Sequence, residues 1–247
     1  MESMPAFIIE IATSDFETTQ SAVDGGADRI ELCANLEEGG TTPSRGMIEQ
    51  CRNSFNLPIF PIIRPRGGDF LYTEEEFQVM LKDTRFCKEV GCEGVVIGML
   101  DIDGHIDQER TSALINAAYP LEITFHRAFD RCRDPFKALE DLIKIGCQRI
   151  LTSGQQPAAP AGKDMIRDLL TEADSRIVIM PGSGVRKENI KMLAEHTGAV
   201  EFHSSLRGKI KSRMNFVHPA FASSVESYSN NFIDPAEVSA LREALEA

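Results

Sequence analysis

The sequence predicts a single (β/α)8 barrel of the TIM type, in which eight parallel strands alternate with eight helices. Short apolar runs rich in β-branched residues alternate along the 247 residues with polar stretches of helical periodicity. Strict alternation favours a mostly parallel sheet, because parallel strands need crossover connections. Eight such units in about 250 residues match the size of this barrel. An open doubly wound sheet is the alternative, but the sequence lacks a nucleotide-binding glycine pattern.

The predicted elements follow each other without interruption. The strands cover residues 7–12, 29–33, 59–63, 94–99, 122–125, 149–152, 177–180 and 200–203. The helices cover residues 15–25, 44–55, 74–90, 108–118, 135–145, 163–173, 187–196 and 235–246. Capping residues support these boundaries, since Ser14 or Asp15 precedes the first helix and a glycine follows three others, at Gly91, Gly146 and Gly198.

The chain shows no internal boundary between domains. No linker or low-complexity segment divides it, so we expect one domain over residues 1–247. Residues 204–234 lack strand or helix periodicity and are predicted to form a long irregular loop after strand eight. Loops of this length are uncommon, and most are lids, binding segments or disordered. This loop would lie over the barrel mouth or form a contact between subunits.

The composition argues against several classes of protein. The chain carries 26 Lys and Arg against 38 Asp and Glu, and a net charge of −12 argues against nucleic acid or an anionic membrane as partner. No apolar run approaches the length of a membrane span, and the N-terminus lacks a secretory pattern. The six cysteines show no zinc-ribbon or redox spacing. Reduced thiols in a cytoplasmic protein are the simplest interpretation.

Two arginines follow the third strand. The apolar run ends at Ile63, and Arg64, Pro65 and Arg66 precede a Gly-Gly turn and Asp69. Proline cannot donate to a sheet, so it marks the end of the strand. Guanidinium groups bind carboxylate or phosphate in a bidentate manner and stay charged at any working pH. We therefore predict an anion site at Arg64 and Arg66, with pairing to local acids such as Asp69 as the alternative.

Ionisable residues also lie at other strand ends, where barrels of this kind place their sites. Glu10 and Glu31 lie in strands one and two, and a buried carboxylate there needs an ionic partner such as Arg64 or Arg66. His126 ends strand five and is either a core histidine or part of the site. Further candidates after strands five and six are Arg127, Asp130 and Ser153.

The ends of the last two strands predict a phosphate site. The candidate residues are Gly182, Ser183 and Gly184 after strand seven, and His203, Ser204 and Ser205 at strand eight. Barrels often bind phosphate with these two loops and a helix N-terminus. No lysine lies at a strand end, which argues against a Schiff-base aldolase, and strand one has no His-x-His pair for a hydrolytic metal site.

Five sequence blocks are distinctive, namely RIELC at 29–33, EGGTTPS at 38–44, IRPRGGDF at 63–70, TFHRAFD at 124–130 and LTSG at 151–154. Together they resemble the CutC family of copper homeostasis proteins. The resemblance covers nearly the whole chain. It implies a barrel fold, a cytoplasmic location, self-association with a homodimer favoured, and a role in copper trafficking or tolerance.

The resemblance also implies a candidate copper ligand. Cu(I) prefers thiolate and thioether ligands, and Cys33 is the thiol at a strand end. Family members proposed to bind copper can carry a second cysteine at the end of strand one, where this chain has Ala12. The other cysteines fall in predicted helices or at their ends, where a buried thiol is the ordinary interpretation.

Two functions are therefore predicted. The first is a cytosolic copper-binding homeostasis protein, with Cys33 as a Cu(I) ligand joined by His126 or by a thiol of another subunit. The second is a barrel enzyme that acts on a small phosphorylated or carboxylated metabolite. Its general base would be Glu10 or Glu31, and His126 would be a general acid or electrophile. A variant of the second function has a hard divalent metal held by these three side chains.

Overall fold

The computed structural model describes residues 7–221 and 228–247. Its barrel strands are β1 (Ile8–Thr13), β2 (Arg29–Leu32), β3 (Ile59–Pro61), β4 (Gly94–Ile97), β5 (Glu122–Phe125), β6 (Arg149–Thr152), β7 (Val178–Pro181) and β8 (Glu201–Ser204). Its helices are α1 (Phe16–Asp24), α2 (Arg45–Ser54), α3 (Glu74–Val90), α4 (Gln108–Ala118), α5 (Pro135–Ile145), α6 (Lys163–Ala173), α7 (Ile190–Thr197) and α8 (Pro235–Glu246). Within these ranges, no helix is both long enough and apolar enough to cross a membrane.

Two four-stranded parallel sheets form the barrel wall. One has the strand order β3-β2-β1-β8 and the other has the order β4-β5-β6-β7. A parallel bridge between Ile62 and Val96 continues β3 onto β4, and β7 lies beside β8. The wall therefore closes on itself, and the predicted (β/α)8 barrel is confirmed.

Local side-chain chemistry sets the helix boundaries. Asp15, rather than Ser14, is the N-cap of α1, and its carboxylate accepts a hydrogen bond from the Thr18 N–H at 2.7 Å. Gly91 and Gly146 end α3 and α5 with φ of 84° and 88°, in the left-handed region that glycine adopts without strain. The predicted capping at these positions is confirmed.

The segment after β8 is more regular than predicted. It contains two further strands, β9 (Gly208–Lys211) and β10 (Ser229–Phe232), which pair in antiparallel orientation. Most side chains of β9 are exposed, so this ribbon lacks the buried face that produces an apolar sequence pattern. Residues 222–227 of the predicted loop lie outside the described residues.

The apolar core lies mainly between the barrel wall and the surrounding helices. Side chains of the wall alternate between the two faces, so Ile59 and Ile63 contact this outer core while Phe60 and Ile62 point inward. The inward residues form a small separate cluster with Cys33 and Val96. Charged side chains occupy much of the remaining interior, and they build the candidate site.

Candidate functional site

Four buried charges form an ion network inside the barrel. Arg29 donates through Nε to Glu10 Oε2 at 2.5 Å, and through Nη2 to Glu201 Oε2 at 2.6 Å. Arg149 Nε donates to the same Glu201 oxygen at 2.6 Å. Two carboxylates therefore balance two guanidiniums, and their attraction offsets the desolvation of four charges.

His203 lies directly above this network, between two carboxylates. Its Nδ1 is 2.7 Å from Glu10 Oε1, and its Nε2 is 3.6 Å from Glu31 Oε2. Burial alone would raise the pKa of Glu10, but Arg29 and His203 outweigh burial and hold that pKa well below its usual value. Burial raises the pKa of Glu31, and the charge of Glu10 adds to the rise. An ionised Glu10 therefore holds the Nδ1–H of His203, which leaves Nε2 facing Glu31.

The His126 imidazole is neutral and offers an unused donor. The side chain is 4% exposed, and its Nδ1 accepts a hydrogen bond from the Ala128 N–H at 3.1 Å. Burial and the nearby charge of Arg64 lower the pKa of His126 to about 3. The proton of the neutral ring therefore sits on Nε2, a buried atom that has no hydrogen-bond partner in the described residues.

Arg64 is a buried cation without a carboxylate partner. The side chain is 3% exposed, and its guanidinium donates to the backbone carbonyls of Glu38, Gly40 and Gly68 at 2.8 to 3.0 Å. Its Nε is buried and unpaired, and no acid in residues 7–221 or 228–247 forms an ion pair with it. The guanidinium also lies 5.0 Å from the centre of the Phe70 ring. Its positive charge is therefore not neutralised by this part of the chain.

These groups line a cavity of about 250 Å³ at the C-terminal end of the barrel strands. Five predicted site residues contribute side chains to its wall, namely Glu31, Arg64, His126, Arg127 and His203. Three more come from the loops after β7 and β8, namely Ser183, Gly184 and Ser205. Arg131 and Arg207 also line it and were not predicted. The residues that line the cavity therefore include four arginines, two histidines and two glutamates, Glu31 and Glu38.

Several predicted site residues lie outside this cavity. Arg66 pairs with Glu76 at 2.6 Å and with Asp69 at 3.0 Å, so it follows the alternative of local pairing. Glu10 is fully buried beneath His203 and reaches the cavity only through that ring. Gly182 leaves room for Leu151, whose side chain would be 2.3 Å from a Cβ at position 182.

Three other predicted residues do not line the cavity but form hydrogen bonds within the loops around it. Asp130 accepts hydrogen bonds from Arg127 Nε at 2.7 Å and from Ser153 Oγ at 2.9 Å. Ser204 Oγ donates to the Val185 carbonyl at 2.8 Å. These contacts hold the loops after β5, β6 and β7 in place without presenting the three side chains to the cavity.

The surroundings of Cys33 do not fit a Cu(I) site. The side chain is 1% exposed and lies in the apolar cluster with Phe60, Ile62 and Val96. Burial, reinforced by Glu31, raises the pKa of the thiol well above its usual value, whereas Cu(I) takes the thiolate. In the described ranges, no three His, Cys, Asp or Glu side chains are grouped as metal ligands.

The interior partners of the glutamates were wrongly predicted. Glu10 pairs with Arg29 on the neighbouring strand rather than with Arg64 or Arg66. His203, rather than His126, is the histidine that lies between the carboxylates of Glu10 and Glu31. The period-two spacing of Arg29 with Glu31, and of Glu201 with His203, was the available signal, since it puts each pair on one face of a strand.

Comparison with known proteins assigns the chain to a family. The model of the CutC family matches residues 7–208. The chain belongs to the CutC family. A CutC family protein of Chromobacterium violaceum is 46% identical over 242 residues, which cover 97% of this chain and 98% of the relative. The human copper homeostasis protein cutC homolog is 44% identical over 239 residues, covering 95% of this chain and 88% of its own length.

Solved structures agree with the CutC assignment and with the barrel. The crystal structure of CutC from Streptococcus agalactiae superposes with a TM-score of 0.78 at 32% identity, covering 81% of this chain and 98% of that one. Phosphoribosylanthranilate isomerase from Pyrococcus furiosus superposes with a TM-score of 0.58 at 11% identity, covering 97% and 98%. The second likeness concerns the fold alone.

Proposed function

We propose that this CutC-family protein binds a small phosphorylated or carboxylated metabolite in the barrel cavity and acts on it by acid–base chemistry. The observation that carries the proposal is Arg64, a buried guanidinium without a carboxylate partner in the described residues. A buried charge without a counter-charge is unfavourable even when backbone carbonyls accept its hydrogen bonds, and an anionic ligand would reduce that penalty. Arg131 and Arg207 add positive charge around the same cavity, whereas Arg127 is paired with Asp130.

The loops after β7 and β8 suit a phosphate group. Ser183 and Gly184 both have φ of 72°, in the left-handed region, and both line the cavity. The side chain of Ser183 is fixed by donating to the Pro157 carbonyl at 2.9 Å. Ser205 and Arg207, in the loop after β8, line the same cavity. Backbone amides and a nearby guanidinium are the groups that bind phosphate in many barrels.

Glu31 is the general base of the proposed enzyme, and His126 is a neutral electrophile. Glu31 lines the cavity, and burial raises its pKa, which is the direction of change expected for a carboxylate that acts as a general base. His126 would donate its Nε2–H to an oxygen of the substrate, as a neutral imidazole can when its pKa is low. Glu10 has no exposed atom and would position His203.

Paired substitutions of the two adjacent arginines test the binding step. Inorganic phosphate and 2-phosphoglycolate are titrated against wild type, Arg64→Gln and Arg66→Gln while thermal unfolding is followed. A ligand at 100 times its Kd should stabilise wild type and Arg66→Gln by about 2.7 kcal/mol, and Arg64→Gln far less. Equal stabilisation of both variants, or none of wild type by either anion, would contradict the proposal.

Copper binding has less support from the described side chains. Cu(I) needs soft ligands, and Cys33 is a buried thiol among apolar residues. We expect anaerobic Cu(I) titration to give the same stoichiometry for wild type and Cys33→Ser. Loss of one equivalent in the variant would instead make Cys33 a ligand. A copper site between subunits, the cytoplasmic location and the homodimer stay predictions from the resemblance.

A further inference from the structure

We propose that Glu31 and His203 form an acid–base pair that shares one proton, and that the reaction is the isomerisation of a small 2-hydroxycarbonyl compound carrying a phosphate or carboxylate. This inference rests on the proposed function, because it assigns a reaction to the same cavity. It adds His203 as a catalytic residue, makes Glu10 a positioning residue and names the substrate class.

The geometry orients His203 for proton transfer. Its Nδ1 is held 2.7 Å from the fully buried Glu10, which Arg29 keeps ionised. Nε2 is therefore the atom that can exchange a proton at the cavity, and it lies 3.6 Å from Glu31 Oε2. A carboxylate behind an imidazole fixes the tautomer and stabilises the imidazolium, as in hydrolytic triads.

The pair has two protonation states of equal net charge. One state has ionised Glu31 with protonated His203, and the other has protonated Glu31 with neutral His203. The layer below is already balanced, since Glu10 and Glu201 face Arg29 and Arg149. Moving a proton between the two groups therefore leaves the net charge of the buried interior unchanged, which avoids the cost of creating a buried charge.

These two states match the two halves of an isomerisation. In the first half, Glu31 removes the proton from the carbon next to the carbonyl, and His203 Nε2 protonates the carbonyl oxygen, which gives an enediol. In the second half, protonated Glu31 returns its proton to the former carbonyl carbon, while neutral His203 takes the proton of the other hydroxyl. Both groups end as they began, so the step needs no oxidant, reductant or cofactor.

His126 and Arg64 supply the remaining contacts. The low pKa keeps the His126 ring neutral, so its buried and unpaired Nε2–H would be an uncharged donor for an oxygen of the enediol. Arg64 and the loops after β7 and β8 would bind the anionic end of the substrate. The cavity of about 250 Å³ limits the substrate to a small molecule.

Hydrogen–deuterium exchange at carbon tests the reaction directly. Dihydroxyacetone phosphate, D-ribulose 5-phosphate, D-fructose 6-phosphate and hydroxypyruvate are incubated with the full chain in D2O, and loss of C–H signals is followed by proton NMR. We expect wild type and Arg66→Gln to exchange at least one probe. Glu31→Gln and His203→Asn should each be slower by roughly 100-fold or more, the usual contribution of a general acid or base.

Binding measured on the same samples separates this inference from the proposed function. Affinity for 2-phosphoglycolate should stay within a few-fold of wild type in Glu31→Gln and Glu10→Gln, although Glu10→Gln should also slow exchange. A purely structural role of Glu10 would lower stability and leave the exchange rate of the folded protein unchanged. If wild type binds 2-phosphoglycolate through Arg64 but exchanges no probe, or if Glu31→Gln exchanges at the wild-type rate, the isomerase is excluded and anion binding stands.

Discussion

At the residue scale, the absence of a side chain at Gly98 leaves space for the His126 imidazole in the cavity wall. A Cβ at position 98 would lie 2.3 Å from two atoms of that ring. Either the imidazole or the β4 backbone would have to move in Gly98→Ala, and overpacking of this kind destabilises by about 1–3 kcal/mol. Urea unfolding should show this loss, and the displaced imidazole should weaken 2-phosphoglycolate binding.

Gly46 is the matched control for this substitution. It lies in α2, and a Cβ there would meet no atom within 4 Å. Alanine is the better helix former, so Gly46→Ala should stabilise the protein by up to about 1 kcal/mol. Opposite signs for the two substitutions are expected, and a neutral Gly98→Ala would contradict the assigned contact with His126.

The neutral imidazole of His126 also makes stability depend on pH. Its pKa is lowered to about 3 in the folded protein, whereas an unfolded histidine takes up a proton near pH 6.5. The unfolded state therefore binds the extra proton, and stability is lost as pH falls from about 6.5 toward 3. Between pH 7 and pH 5, wild type should lose about 2 kcal/mol relative to His126→Asn.

Denaturant unfolding of both proteins at the two pH values checks this expectation. Other titrating groups affect wild type and variant alike, so the difference between the two free energies of unfolding isolates His126. A difference that does not change between pH 7 and pH 5 would mean that the ring takes up its proton as readily in the folded protein as in the unfolded chain.

At the element scale, Asp130 ties the end of β5 to the loop after β6. Its carboxylate accepts hydrogen bonds from Thr152 Oγ1 at 2.5 Å and from the N–H groups of Ser153 and Gln155 at 3.0 and 3.1 Å. Asp130→Ala would leave several largely buried donors without an acceptor. We expect a loss of roughly 2–4 kcal/mol in the free energy of unfolding.

Glu140 provides the control for this loss of charge. Its ion pair with Arg176 is about half exposed on the surface of α5, and exposed pairs contribute about 0–1 kcal/mol. Glu140→Ala should therefore change the free energy of unfolding by less than about 1 kcal/mol. Equal losses in the two variants would show that the Asp130 contacts are no stronger than a surface pair.

The elements of the barrel were predictable because their sequence signals are local. Buried strands and amphipathic helices leave apolar periods, which located all eight strands and all eight helices to within a few residues. The β9–β10 ribbon was missed because an exposed strand such as Gly208–Lys211 leaves no such period. Local periodicity in the sequence arises from burial of one face, so an element without a buried face cannot be predicted from it.

The candidate site was predictable as a set of strand ends, but its pairing was not. Position at the C-terminal strand ends identified Glu31, Arg64 and His126, because a parallel barrel brings those ends together. Position at a strand end could not show which of Arg64 and Arg66 lines the cavity, because both lie in the same short loop. Burial of Arg64 and local pairing of Arg66 depend on the turn at residues 67–68, whose course the sequence does not specify.

At the scale of the whole molecule, the interior charges connect the two sheets of the wall. β8 belongs to the sheet with order β3-β2-β1-β8, and β6 belongs to the other. Glu201 on β8 binds Arg149 on β6 as well as Arg29 on β2. Both guanidiniums lie near the Phe60 ring, at 5.2 and 5.7 Å from its centre. No continuous ladder of backbone hydrogen bonds joins β7 to β8. Glu201 therefore links the two sheets at this point, through its side-chain contacts between β8 and β6.

Glu201→Gln tests whether this network stabilises the barrel. The substitution keeps the shape of the side chain but leaves two buried guanidiniums facing one remaining buried carboxylate, Glu10. Loss of one partner from a buried ion network destabilises by about 3–5 kcal/mol, because the remaining charge is left without compensation. Glu122→Gln removes a half-exposed carboxylate 3.2 Å from Arg149 and should change stability by less than about 1 kcal/mol. Denaturant unfolding of both variants measures the two free energies of unfolding. Similar small losses in the two variants would contradict the expectation, because they would mean that water or Glu10 compensates the two guanidiniums without Glu201.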